Sequence, residues 1–204
     1  MIAVVDYGVG NLFSLCSSLK SVGADIYVGS DAIQLQAAEK IVLPGVGAFA
    51  DAMAALRERG IDALLKEEAA AGKPIMGICL GMQVLFQKSY EYGEHEGLGL
   101  LQGEVIPMQG NISEDLKIPH IGWNALEIKK QSALLQGVTS GDYVYFVHSF
   151  YASNCDSSII ATTDYGAQIT AAVQKGNVMG CQFHPEKSGD VGMKILRAFC
   201  ECEF

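Results

Sequence analysis

No apolar run in the 204 residues reaches the ~18 that a membrane-spanning helix needs. Basic side chains are scarce, fourteen against twenty-three acidic ones, for a net charge of −9. Such a surface repels phosphate backbones, so neither a nucleic acid nor a membrane is an expected partner. Charged residues make up only 18%, too few for a disordered chain or a coiled coil. None of the six cysteines forms a CxxC pair, and disulfide scaffolds are shorter and denser in cysteine. The first residues, Met1 to Asp6, lack the basic start and the cleavage site of a signal peptide. These absences predict a reduced, cytoplasmic protein. Repeats, low-complexity stretches and linkers are missing too, which predicts one domain over residues 1–204.

What is present alternates. Ile2 to Val5, Asp25 to Val28, Lys40 to Leu43 and Pro74 to Ile78 read as buried strands. Between them, Leu12 to Val22 and Ala48 to Ala71 carry apolar residues at spacings of three and four, the period of a helix. Strand and helix in alternation predict an α/β fold with a mostly parallel central sheet flanked by helices. The second half has a shorter rhythm. Strands are expected over Gly103 to Met108, Ala125 to Ile128, Tyr143 to Val147, Ile159 to Thr163, Ile169 to Gln174 and Val178 to Phe183. Short connections, including a hairpin turn at Lys175-Gly176-Asn177, make this a smaller antiparallel region. Gly189 to Cys202 closes the chain as an amphipathic helix.

The clearest chemical signal is Lys73-Pro74-Ile75-Met76-Gly77-Ile78-Cys79-Leu80-Gly81-Met82-Gln83, a strand running through Gly-x-Cys-x-Gly into a helical run over Met82 to Gln87. This is the layout of a nucleophile elbow with cysteine in place of serine. The flanking glycines allow a sharp turn that lifts the sulfur into the open at a helix N-terminus, where the thiolate is favoured. The other cysteines, Cys16, Cys155, Cys181, Cys200 and Cys202, read as structural. Among His95, His120, His148 and His184, only His184 has a carboxylate in a suggestive place, Glu186. Residues two apart on an extended segment share a side, so Glu186 can hold one tautomer of a His184 base. The strand Ile41 to Leu43 ends in the glycine-rich turn Pro44-Gly45-Val46-Gly47, which can aim a peptide N–H, joined by that of Leu80, at an oxyanion, although by itself it reads as an ordinary loop. Asp6-Tyr7-Gly8-Val9-Gly10-Asn11 follows the first strand as a dinucleotide fingerprint would, but Phe13 stands where the third glycine belongs. A tight turn or contact loop is the better reading.

Together these motifs resemble the class I, or triad, glutamine amidotransferases, and within that family the glutaminase subunits of imidazole glycerol phosphate synthases. Asp6 to Asn11, Pro44 to Phe49, Pro119-His120-Ile121-Gly122-Trp123-Asn124, Tyr145 to Tyr151 and His184 to Ser188 carry the likeness over almost the whole chain. Phe150 stands where tyrosine is frequent and Ile121 where methionine is common; neither touches the triad.

The resemblance implies hydrolysis of glutamine by Cys79, His184 and Glu186 through a thioester, with no cofactor and no metal. It implies Gln83 and Glu91 around the substrate's amino-acid end, and backbone near Ser149 and Phe150 at its carboxylate. It implies a heterodimer in which ammonia passes to a barrel-shaped synthase (cyclase) subunit through a face carrying Asn11, Trp123, Tyr145 and Lys187. Other readings are an amidotransferase subunit of another synthase, a stand-alone γ-glutamyl hydrolase or cysteine peptidase, or an inactive binding module. The Asp6 to Asn11 and Pro119 to Asn124 segments argue against the first. Turnover without a partner would identify the second, and an intact triad argues against the third.

Overall fold

The computed structural model describes residues 1–8, 10–201 and 203. Val9 of the contact loop and Cys202, read above as structural, lie outside the described residues. The first half runs β1 (Ile2–Val5), α1 (Leu12–Ser21), β2 (Ile26–Gly29), α2 (Ala32–Ala37), β3 (Lys40–Leu43), α3 (Phe49–Glu58), α4 (Ile61–Ala70), β4 (Ile75–Ile78) and α5 (Leu80–Gln83). The strand-rich second half runs β5 (Lys88–Ser89), β6 (His95–Glu96), β7 (Glu104–Pro107), β8 (His120–Ala125), β9 (Glu127–Ile128), β10 (Tyr143–His148) and β11 (Phe150–Ser153). It ends with β12 (Ile159–Asp164), β13 (Gln168–Lys175), β14 (Val178–Cys181) and α6 (Gly189–Glu201).

The main sheet has the order β2-β1-β3-β4-β14-β13-β12-β9. Its first five strands are parallel, and the antiparallel hairpins β14-β13-β12-β9 extend it. Two smaller sheets, β10-β8 and β11-β7-β5-β6, are antiparallel except that β5 runs parallel to β7. Side chains alternate along β1 and divide the core in two. Ala3 and Val5 pack with α2, α3 and α4 on one face, and Ile2 and Val4 with α1 and α6 on the other. Apart from the edge strand β2, the parallel strands are buried on both faces, which is why they read as unbroken aliphatic runs.

Three expectations need correction. The helical pattern over Ala48 to Ala71 is two helices, because Gly60 takes a left-handed conformation (φ 68°) between them. The Gly-Trp-Asn segment, absent from the strands expected above, belongs to strand β8, paired antiparallel with β10 so that Trp123 faces Tyr145 in register. Its scattered polar residues hid it, since it is buried on one side only. The strand expected to be buried over Asp25 to Val28 is β2, which is only half-buried because it lies at the edge of the main sheet, with Val28 40% exposed.

Candidate active site

Cys79 sits between β4 and α5 with φ 54° and ψ −112°, a conformation that non-glycine residues rarely adopt. The turn exists because Gly81 has no side chain: a Cβ there would lie 1.8 Å from the Leu43 carbonyl oxygen. Cys79 N–H donates to Cys181 O at 2.8 Å, which ties the elbow to β14. The sulfur is not lifted into the open as expected. Cys79 is buried, because β10, β11 and the loop after β14 close over it, and it reaches a cavity of about 310 Å³. The helix behind it is also shorter than Met82 to Gln87: α5 ends at Gln83. Its first amide, that of Leu80, has no intrahelical partner, and Leu80 lines the cavity.

His184 follows β14, and its backbone N–H donates to Tyr145 O at 2.9 Å. Pro185–Lys187 forms a 3-10 turn rather than an extended strand, because Lys187 N–H bonds back to His184 O. Glu186 nevertheless swings under the ring, with Oε1 2.8 Å from His184 Nδ1 and both side chains buried. Helix α6 packs on this turn so closely that a Cβ at Gly192 would lie 1.8 Å from Pro185 O. Ser188 adds a clamp, donating to His184 O at 2.6 Å and accepting from Tyr145 N–H at 3.0 Å. Burial alone would lower the imidazole pKa. Interactions with Cys79 and Glu186 outweigh it and push His184 up to about 9. Among the described residues His184 Nε2 has no hydrogen-bond partner, and it is the nitrogen left for proton transfer.

The cavity is lined by Val46, Gly47, Cys79, Leu80, Gln83, Glu91, Ser149, Phe150 and His184, among others. It thus gathers all of the expected catalytic, oxyanion and substrate-binding residues except Glu186, which stands behind His184. Two of them are already engaged. Glu91 Oε2 accepts from Phe49 N–H at the start of α3, and Gln83 Nε2 donates to Phe150 O and Gln182 Oε1, each at 3.0 Å. Gly47 has φ 99°, and Tyr7 fixes the base of its turn by donating to Pro44 O at 2.8 Å. Burial, aided by the charge on Cys79, raises the Tyr7 pKa and keeps it a neutral donor.

Of the four residues expected at a partner face, three cluster. Trp123 meets Tyr145 edge to face at 6.0 Å, and Lys187 Nζ lies 5.8 Å from the Tyr145 ring. Trp123 is half exposed, and Ile121 and Tyr143 flank it as further exposed apolar groups. Asn11 stands at the N-terminal end of α1, which packs on the 185–187 turn, without a side-chain bond to the helix backbone, and its amide donates to Ser14 Oγ at 3.4 Å. Sequence reasoning passed over Gln182, which donates to Cys79 Sγ at 3.7 Å, and the buried pair His120 and His148, which bond each other at 3.0 Å. Gln182 stands two residues before His184, the same spacing that exposed Glu186. The histidine pair had no signal, because its members lie 28 positions apart.

A family model for class-I glutamine amidotransferases matches residues 3–202. The "Imidazole glycerol phosphate synthase subunit HisH" of Caldanaerobacter subterraneus subsp. tengcongensis is 49% identical over 203 residues, covering 98% of each chain. That of Lactococcus lactis subsp. lactis is 49% identical over 201 residues, again with 98% of each covered. Among solved structures, one described as a crystal structure of glutamine amidotransferase superposes with a TM-score of 0.78 at 20% identity, covering 98% of both chains. The structure of PurLQS from Thermotoga maritima superposes with a TM-score of 0.75 at 24% identity, covering 97% of this chain and 96% of that one. At those identities the structures attest the fold.

Proposed function

From a chain that belongs to the class-I glutamine amidotransferase family, and within it to the HisH subunits of imidazole glycerol phosphate synthase, we infer that Cys79, His184 and Glu186 release ammonia from glutamine. The observation that carries this is the meeting of a strained Cys79 and a Glu186-backed His184 at one cavity. Glu186 accepts from His184 Nδ1–H and so leaves Nε2 to take the thiol proton. The raised imidazole pKa suits His184 to hold that proton until the leaving group takes it. Cys79 Sγ attacks the side-chain carboxamide, and the oxyanion is held by the amides of Leu80 and Gly47. His184 Nε2–H protonates the departing ammonia. The glutamyl thioester is then hydrolysed by a water that His184 deprotonates, which releases glutamate.

Gln83 and Glu91 face the amino-acid end of glutamine, and backbone at Ser149 and Phe150 its carboxylate. The whole chain acts as one amidotransferase domain in the cytoplasm. No helix among the described residues is long and apolar enough to cross a membrane. The ammonia passes to a barrel-shaped synthase subunit in a heterodimer, which makes imidazole glycerol phosphate and aminoimidazole carboxamide ribonucleotide for histidine biosynthesis. Exposed Ile121, Trp123 and Tyr143 support a docking face there, with Tyr145, Lys187 and Asn11 beside it. The Pro44–Gly47 turn is out of line in the free chain and is reset through this face.

The test is glutamate release by the chain alone, then with the synthase subunit and its nucleotide ligand, with Cys79→Ser as control. Low activity alone, a strong rise in the complex and loss in the control are expected. Equal activity with and without the partner would instead identify a free-standing hydrolase.

A further inference from the structure

His120 on β8 and His148 on β10 are buried in the middle of a four-link hydrogen-bond chain. His148 Nδ1 lies 2.8 Å from Phe150 O, and His148 Nε2 lies 3.0 Å from His120 Nδ1. His120 Nε2 lies 2.9 Å from Asn124 Oδ1, and Asn124 Nδ2 donates to Asp164 O at 2.9 Å. Both ends are backbone carbonyls, which only accept. The Asp164 carbonyl holds the Asn124 amide nitrogen outward, so Oδ1 meets His120 as another acceptor. The three imidazole contacts therefore need three protons, and two neutral imidazoles carry two.

Burial favours the neutral rings: it pushes His148 down to about 3 and lowers His120. The titratable groups around the pair are Tyr165, stacked on His120 at 3.9 Å; His184, whose charge would repel one on His148; and Cys79, Glu91 and Tyr92, which line the cavity with His148. One contact must then go unmade. The central one is the least able to relax, because both rings are buried and His120 is stacked between Phe146 and Tyr165. The ends can give. Asn124 is only partly buried, and Phe150 O keeps its bond from Gln83 if His148 withdraws.

We propose that His120 and His148 form a neutral, bistable proton relay that serves either Phe150 at the cavity wall or Asn124 on β8, but never both. When His148 donates to Phe150 O, both rings carry their hydrogen on Nδ1 and the Asn124 contact is unmade. When His120 donates to Asn124 Oδ1, both carry it on Nε2 and Phe150 O loses a donor. Interconversion moves one proton across the central gap, takes one from water at one end and returns one at the other, so the charge is constant. The relay joins the cavity wall to the strand that presents Ile121 and Trp123. His120 and His148 are thus positioning residues, a role that rests on the glutamine-site reading above; the relay itself does not.

The test is imidazole nitrogen-15 NMR of the full-length chain at neutral pH, on the wild type and on Asn124→Ala. Two neutral rings with equal fractions of the Nδ1–H tautomer are expected, and that fraction should rise to near completion on both rings in the variant. The proposal is overturned if His148 holds Nδ1–H while His120 holds Nε2–H, or if either ring is charged. The wild-type spectrum decides even if the variant fails to fold. No glutamine turnover is needed, so failure of the functional reading would not imitate failure of the relay.

Discussion

At the scale of single residues, His184 and Glu186 are a buried acid and base in contact, and their consequence reaches beyond catalysis. The folded imidazole pKa of about 9 lies above the ordinary 6.5. A raised pKa means that the folded state binds the proton more tightly, so its stabilisation is complete below about 6.5 and is lost as pH rises through about 9. Thermal unfolding followed across that window should show wild type losing its advantage over His184→Gln. Chemistry at the same residues gives a second expectation. Cys79→Ser should lower glutamate release in the complex by roughly 10⁴-fold or more, and Glu186→Gln by ~10²-fold or more through loss of the tautomer lock. Stopped glutaminase assays on the folded variants measure both.

Elements decide where these residues stand. Strand β4, the elbow and α5 can close around Cys79 only because Gly81 lets the helix start against the end of β3. Gly81→Ala should destabilise the chain by about 1–3 kcal/mol in urea unfolding, since a rigid carbonyl rather than a flexible side chain blocks the methyl. Gly192→Ala should destabilise the chain as well, since its methyl would meet the Pro185 carbonyl just as closely, and it should also lower kcat by pushing the 185–187 turn away from α6 and moving Glu186 from under His184. The elements most visible in the sequence were the parallel strands, whose double burial demands continuous aliphatic residues. Strand β8 escaped notice because its pattern mixes a glycine, a tryptophan and an asparagine, and its pairing with β10 is a long-range choice.

Seen as a whole molecule, the chain carries its cavity and its exposed apolar patch on neighbouring parts of one antiparallel pair. Strand β10 passes Tyr145 at the patch and ends at His148 on the cavity. Trp123→Ala should leave stability within ~0.5 kcal/mol, as expected for a half-exposed side chain. It should weaken association with the synthase subunit by roughly 2 kcal/mol if Trp123 anchors the interface. Titration calorimetry with the synthase subunit measures that difference.

The sequence by itself determined the chemistry that local spacing can encode: the Gly-x-Cys-x-Gly elbow, the His184 and Glu186 neighbours, the glycine-rich turn after β3, and the layered α/β order of strands and helices. Each of these depends on residues within a few positions of one another, where backbone sterics and periodicity suffice. Tertiary structure alone decided that Cys79 is covered rather than open, that Gln182 and Gln83 support the sulfur and the cavity wall, and that His120 and His148 share a hydrogen-bond chain. Those facts arise from strands brought together across tens of residues, where the core that buries them, and not their neighbours in sequence, selects the partners.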